Sequence, residues 1–285
     1  MPEKMPSFIN PAYEKNQAEK QARIRFQGEY RKPKEKMTFP GGEFEYIDIE
    51  PKEKTGKDTF IAVGTPWSWE QMEDFVFQLQ QAGHRVTSLI HPDFDLKNGR
   101  AYQPEIQRPL ALETFFQNAQ LEDATVIAHS FGLIDTLRKG TAGIGRLIAI
   151  NPAGLSDINP VKHSINALKS TLDTLSPDKH TPEETKANRL LVKTFLKQSL
   201  QKSIKEIIGA GSADMSEELE KFKEKIPVVI FRNIDDTLVP PKKAHDQSFR
   251  KFETGGNHLG PFVKHNQAQE IIRTIEEMEK ENTSA

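Results

Sequence analysis

An α/β architecture, with a mostly parallel central sheet flanked by helices, is predicted by three observations. Short apolar, β-branched runs recur at residues 59–63 (Thr-Phe-Ile-Ala-Val), 86–90, 124–128 (Ala-Thr-Val-Ile-Ala) and 146–150, as strands covered on both faces require. Helical patterns at 69–82 and 104–120 separate them, and that alternation implies βαβ crossovers. A chain of 285 residues can also bury roughly 75% of its unfolded surface, enough for one large core with an appendage.

The elements follow in order. Residues 1–40 are rich in Lys, Arg, Glu and Gln and read as a helical or partly disordered arm, with Ile24, Phe26 and Tyr30 as docking points; a solvated arm is preferred over a contact with an anionic surface. Phe44–Glu50 alternates apolar and polar residues, as a half-exposed antiparallel edge strand does. Lys52–Asp58 is a charged turn containing Gly56, and Thr59–Val63 a buried strand. Trp69–Ala82 places Met72, Phe75, Val76 and Leu79 on one helical face, and Gly83 is positioned to end that helix. Val86–Ile90, a helix over Pro104–Gln120, the 124–128 strand and Arg146–Ile150 continue the rhythm.

The rhythm stops after Asn151-Pro-Ala-Gly154. Residues 155–222 hold no strand-like run but carry amphipathic stretches, above all Ala187–Ile208, whose stripe includes Leu191 and Phe195 and whose polar residues include Lys193, Lys197, Lys202 and Lys205. Such a helix lies on a membrane, binds a partner, or packs as a lid over the sheet's carboxyl edge. The sheet resumes at Ile226, and a helix over His265–Lys280 closes the chain.

Ala128-His129-Ser130-Phe131-Gly132 sits where a buried strand turns into the helix read over 131–138. A serine on so tight a turn has its hydroxyl pushed clear of the backbone, at a helix N-terminus that favours negative charge. The positions two before and two after it must be small, and they are Ala128 and Gly132. The other reading of this pentapeptide is a serine helix cap with a chance glycine. Downstream come Ile226–Pro240, an apolar run ending in Asp235, Asp236 and Val-Pro, and Phe252–Phe262, which contains Gly-Gly-Asn-His-Leu-Gly.

These three segments, in this order, resemble the α/β-hydrolase superfamily in its serine-nucleophile branch, similar to carboxylesterases and lactonases. The form of the pentapeptide is G-x-S-x-G with alanine for the first glycine. The resemblance covers about residues 40–280. It implies an α/β-hydrolase fold with a core of 41–154 and 223–285 and a helical cap over 155–222. It also implies a triad in the order Ser, acid, His. The family's acid commonly lies four residues before the Val-Pro proline, which selects Asp236 over Asp235, while Asp157 is a position some members use. The Gly-x-x-His-x-Gly type segment places His258 as the base. A serine nucleophile argues against the dehalogenase and epoxide-hydrolase branches, where Asp is expected.

The chemistry needs these residue types because a neutral hydroxyl is a poor nucleophile. Ser130 requires a base within reach, His258, and the base requires an orienting acid, Asp236. The oxyanion of the intermediate needs two donors. One is the Phe131 N–H, directly after the nucleophile; the other comes from the loop after Thr59–Val63. Many family members carry His-Gly there, whereas this chain has Val63-Gly64-Thr65-Pro66. Pro66 has no N–H, so the Thr65 N–H takes the role. Trp67 and Trp69 either wall an acyl or alcohol pocket or pack the first helix on the sheet. With Ala187–Ile208 as a lid, Leu191 and Phe195 line that pocket. His129 packs beside the nucleophile; His84, His91, His163, His180, His245 and His265 read as surface or loop residues.

A net charge of −2 gives nucleic acid no foothold. The absence of cysteine excludes thiolate catalysis, disulfides and thiolate metal sites. No His/Asp/Glu spacing suits a metal and no Gly-rich loop cradles a phosphate, so no cofactor is expected. The Met-Pro-Glu-Lys-Met-Pro start lacks an apolar signal segment, and no run of eighteen apolar residues occurs, which points to the cytoplasm. The expected activity is a serine hydrolase of small or medium carboxylic esters or lactones acting through an acyl-enzyme. An amidase or aminopeptidase-like hydrolase with the same triad, and a catalytically silent ligand-binding member, are the alternatives. The cap decides the substrate, and oligomeric state is not legible.

Overall fold

The computed structural model describes residues 11–30, 35–40, 42–64, 69–93, 104–155, 213–236, 239, 249–255, 262 and 264–283. The chain divides into two units, Met1–Pro33 and Lys34–Ala285. The first holds α1 (Pro11–Tyr30), in which Phe26 and Tyr30 stack at 5.1 Å, one turn apart. Of the three docking residues expected in the arm, Ile24 is exposed.

The second unit is built on one eight-stranded sheet in the order β1-β2-β4-β3-β5-β6-β7-β8. Its strands are β1 (Glu35–Phe39), β2 (Gly42–Ile49), β3 (Thr59–Ala62), β4 (Val86–Asp93), β5 (Ala124–His129), β6 (Ile144–Ile150), β7 (Val228–Asn233) and β8 (Arg250–Thr254). β2 runs antiparallel to both β1 and β4, and every pairing from β4 through β8 is parallel. A 3-10 turn (Trp69–Met72) leads into α2 (Glu73–Gln81); α3 (Pro104–Asn118), α4 (Phe131–Lys139), α5 (Ser216–Lys223) and α6 (His265–Thr283) complete the helices among the described residues.

Side chains alternate across the sheet. Phe60, Ala62, Val126, Ala128, Leu147 and Ala149 join one core with residues of α3, α4 and α5. Their neighbours Ile61, Ile127 and Ile148 are also fully buried, on the opposite face. α2 contacts α6. Phe115 of α3 anchors the first core, with ring centroids 5.3 Å from Tyr46 and 5.5 Å from Phe60.

Four expectations need correction. Phe44–Glu50 alternates as anticipated, yet it is not the edge, because β1 pairs outside it. β1, Glu-Lys-Met-Thr-Phe, lies within the stretch read as an arm: an outermost strand that exposes Glu35, Lys36 and Thr38 carries charge, as sheet edges do. The core resumes before residue 223, since Met215, Leu219 and Phe222 are buried in it. His84, read as a surface or loop residue, does lie in the loop before β4 but is buried there. Gly83, at φ +88°, turns the chain inward, and a Cβ on Gly56 would fall 2.5 Å from the His84 ring. Its Nδ1 lies 3.3 Å from both Thr59 Oγ1 and the Lys57 carbonyl.

Leu155 and Met215 both lie in the core, and the Met215 N–H donates to the Gly154 carbonyl at 2.9 Å. Residues 156–212, including Ala187–Ile208, lie outside the described residues.

Because Phe115 joins α3 to β2 and β3, Phe115→Ala should lower unfolding free energy by about 3–5 kcal/mol. Urea unfolding with an unchanged m-value checks this; a loss below about 1 kcal/mol would show that the ring is not the keystone of this face.

Candidate active site

Ser130 stands between β5 and α4 with φ 53° and ψ −122°, a conformation costing a non-glycine residue about 1–3 kcal/mol. Three hydrogen bonds hold it there: its N–H donates to the Ile150 carbonyl (3.0 Å), and its own carbonyl accepts from the Leu133 N–H (3.2 Å) and the Ala153 N–H (3.1 Å). The side chain makes no capping hydrogen bond, so the reading of Ser130 as an ordinary helix cap fails. Gly132 explains the sharpness of the turn. A Cβ there would lie 2.1 Å from the Ala62 carbonyl oxygen, so α4 meets the end of β3 backbone to backbone.

Gly64 follows β3 and faces the same point. Its missing Cβ would sit 2.8 Å from Ser130 Cβ, 3.1 Å from Ser130 Oγ and 3.1 Å from the Phe131 nitrogen. The hydroxyl and the first N–H of α4 therefore border one small space walled by glycine backbone. Thr65 and Trp67, the Trp69 side chain, Asp157, Leu191, Phe195 and His258 lie outside the described residues.

Asp236 follows β7, two strands from Ser130 and about 10 Å across the sheet at ordinary strand spacing. It is 3% exposed, and its Oδ1 accepts the Val239 N–H at 2.9 Å. Asp235 is exposed. His129 is fully buried with its ring edge-on to Phe262 at 5.0 Å.

Sequence reasoning missed two polar systems that support this edge. The first runs across the strand ends. Asn151, at φ 42°, accepts the Asn233 N–H through Oδ1 at 2.8 Å. The Asn233 carbonyl accepts the Asp236 N–H at 3.1 Å. Asn233 Oδ1 accepts from Thr254 Oγ1 at 2.6 Å, and Thr254 Oγ1 accepts from Gln267 Nε2 at 3.0 Å. The end of β7, β8 and α6 are thus joined side chain to side chain, and the turn bearing Asp236 is tied to β7 by a backbone bond. The only signal in the sequence was a polar residue at each strand end.

The second is a buried ion pair. Arg108 Nε donates to Asp135 Oδ2 at 2.7 Å, Arg108 Nη2 donates to the Val63 carbonyl at 3.1 Å, and the guanidinium lies 4.8 Å from the Phe131 ring centre. An aspartate among Leu133, Ile134 and Leu137 of α4 was the available clue.

No protein-family model and no curated protein matches the chain. Solved structures do resemble it. A bromoperoxidase from Bacillus anthracis aligns with TM-score 0.66 at 18% identity, over 86% of this chain and 100% of its own. An esterase from Exiguobacterium antarcticum gives TM-score 0.67 at 14% identity, with coverage of 86% and 100%. The enol-lactonase from Burkholderia xenovorans LB400 gives 0.66 at 14%, with the same coverage. With the strand order and the strained serine turn, these likenesses define the fold class. The chain has the α/β-hydrolase fold.

Gly132→Ala should cost about 3 kcal/mol or disrupt folding outright, because backbone at Ala62 cannot yield as a flexible side chain would. Thermal unfolding checks this; a stability within 0.5 kcal/mol of the parent, roughly the range of a surface substitution, would contradict the close approach.

Proposed function

We propose that this protein is a serine hydrolase that cleaves a small or medium carboxylic ester or lactone through an acyl-enzyme. The observation that carries the reading is the strained Ser130 backbone, φ 53° and ψ −122°, with Gly64 and Gly132 packed against it. Strain of this kind persists only where surrounding bonds over-determine it, and it concentrates at reacting residues. The esterase and the enol-lactonase among the similar structures support the substrate class.

In this mechanism Ser130 Oγ attacks the carbonyl carbon while His258 takes its proton. His258 then gives that proton to the leaving alcohol as the ester bond breaks. Water, deprotonated by His258, attacks the acyl-enzyme and releases the carboxylic acid and Ser130. Asp236 holds the imidazole in the required tautomer; its burial beside exposed Asp235 supports giving it this role. The oxyanion is bound by the N–H groups of Phe131 and Thr65. The nearness of Gly64 to Phe131 N and Ser130 Oγ supports that assignment. Trp67, Trp69, Leu191 and Phe195 form the substrate pocket, the last two from the helical cap expected within 155–222. No helix among the described residues is long and apolar enough to cross a membrane, and we assign the enzyme to the cytoplasm.

A fluorophosphonate probe should label the wild-type protein and not Ser130→Ala, and a panel of esters, lactones and amides should show ester or lactone turnover. Absence of Ser130-dependent label would leave a ligand-binding protein; amide turnover above ester turnover would leave an amidase. Ser130→Ala and His258→Ala should each lower turnover by about 10⁴-fold or more, with little further loss in the double variant.

Asp236→Asn should reduce the rate by up to about 10⁴-fold through the wrong tautomer, and Asp235→Asn should change it only mildly. Kinetics on the preferred ester decide between them, and the reverse ranking would transfer the role to Asp235.

A further inference from the structure

We infer that Arg108 is a positioning residue for oxyanion stabilisation, held by Asp135 so that one guanidinium fixes both backbone segments bordering the reacting oxygen. This rests on the serine-hydrolase reading above. The first segment is the Val63–Gly64 peptide. Arg108 Nη2 donates to the Val63 carbonyl at 3.1 Å, and in a trans peptide the Gly64 N–H must then point the opposite way. That fixes the plane from which the chain enters the loop, with Gly64 against Ser130 and the Phe131 nitrogen. The second segment is the start of α4. The same guanidinium lies 4.8 Å from the centre of the Phe131 ring, the residue whose N–H follows the nucleophile.

Asp135 completes the device. It lies one helical turn beyond Phe131 and so shares a face of α4 with it. Its Oδ2 accepts from Arg108 Nε at 2.7 Å, with both side chains buried. Arg108 comes from α3, Asp135 and Phe131 from α4, and Val63 from the end of β3. Three elements therefore meet at one planar fork. A guanidinium suits this because its donors leave in fixed directions: one pair member is engaged by the carboxylate while another is committed to the carbonyl. A lysine ammonium is a point charge without that geometry.

A buried ion pair is weak evidence for stability, since replacing both partners with apolar residues of similar volume is often neutral or stabilising. This separates positioning from folding. In Arg108→Met/Asp135→Leu neither member of the pair is left as a lone buried charge, and a cavity of about 30 Å³ beside the pair, lined by Leu89 and Leu112 among others, gives the new side chains room to settle. The Val63 carbonyl, however, loses its donor. Losing one oxyanion donor outright costs about 10²–10³-fold in kcat, and loosening two should cost part of that.

The experiment measures kcat and KM for p-nitrophenyl acetate, the inhibition constant of a phenylboronic acid as a tetrahedral mimic, and Tm. With the positioning role, the double variant keeps its Tm and KM, while kcat and boronate affinity each fall about 10- to 100-fold. Arg108→Lys, which retains the charge, falls between double variant and wild type in kcat at constant KM, and decides the matter should the double variant fail to fold. A folded double variant, or Arg108→Lys, with kcat and boronate affinity within twofold of wild type overturns the inference. So does a loss confined to KM. A wild-type protein that takes no fluorophosphonate label fails the hydrolase reading itself, an outcome visible before any variant is made.

Discussion

The approach of α4 to the end of β3 is the constraint on which the rest depends. Gly132 stands where any Cβ would penetrate the Ala62 carbonyl, so the turn between β5 and α4 has no slack and Ser130 must adopt a left-handed backbone angle. About 1–3 kcal/mol of strain is offset by bonds to three residues: the Ile150 carbonyl at the end of β6, the Leu133 N–H in α4 and the Ala153 N–H after β6. The result is a hydroxyl just past the end of β5, a strand buried along its whole length, placed at a helix N-terminus where the unsatisfied N–H groups favour developing negative charge.

Two polar systems then brace this edge from different sides. The chain of Asn151, Asn233, Thr254 and Gln267 runs along the strand ends and fixes the turn bearing Asp236 to β6, β8 and α6. Arg108 and Asp135 lie behind the turn, among α3, α4 and the end of β3. Buried polar groups are costly unless satisfied, so each system tolerates only a narrow set of arrangements. That rigidity is what a preorganised site requires, because an electrostatic site works best when its dipoles need no rearrangement as charge develops.

Much of this was legible in the chain. The strands from β3 to β7 announce themselves as apolar runs because both faces are covered, and the serine turn does so because small residues must flank it. Asp236, the aspartate that the spacing to Pro240 selects, is buried, and Asp235 is exposed. What escaped reading shares a physical cause. β1 is an outer strand, so half its residues are polar and it imitates a solvated arm. The enclosure of His84 depends on Gly56, nearly thirty residues earlier in sequence, and no local pattern signals it. Arg108 and Asp135 look like ordinary helix-surface charges until two helices are packed together. Non-local burial of polar groups leaves no periodicity to detect.

The residues on either side of the segment 156–212 are tied to the serine turn. The Ala153 N–H donates to the carbonyl of Ser130 itself, and the Gly154 carbonyl accepts from the Met215 N–H, so Gly154 and Met215 are fastened together beside the Ser130 turn. Below that junction, the strands β5, β6 and β7 and the helices α4 and α5 form one continuous core. The strained turn is thus held from β3, β6 and α4 at once, by glycine contacts and short backbone bonds that leave its geometry almost no freedom to change.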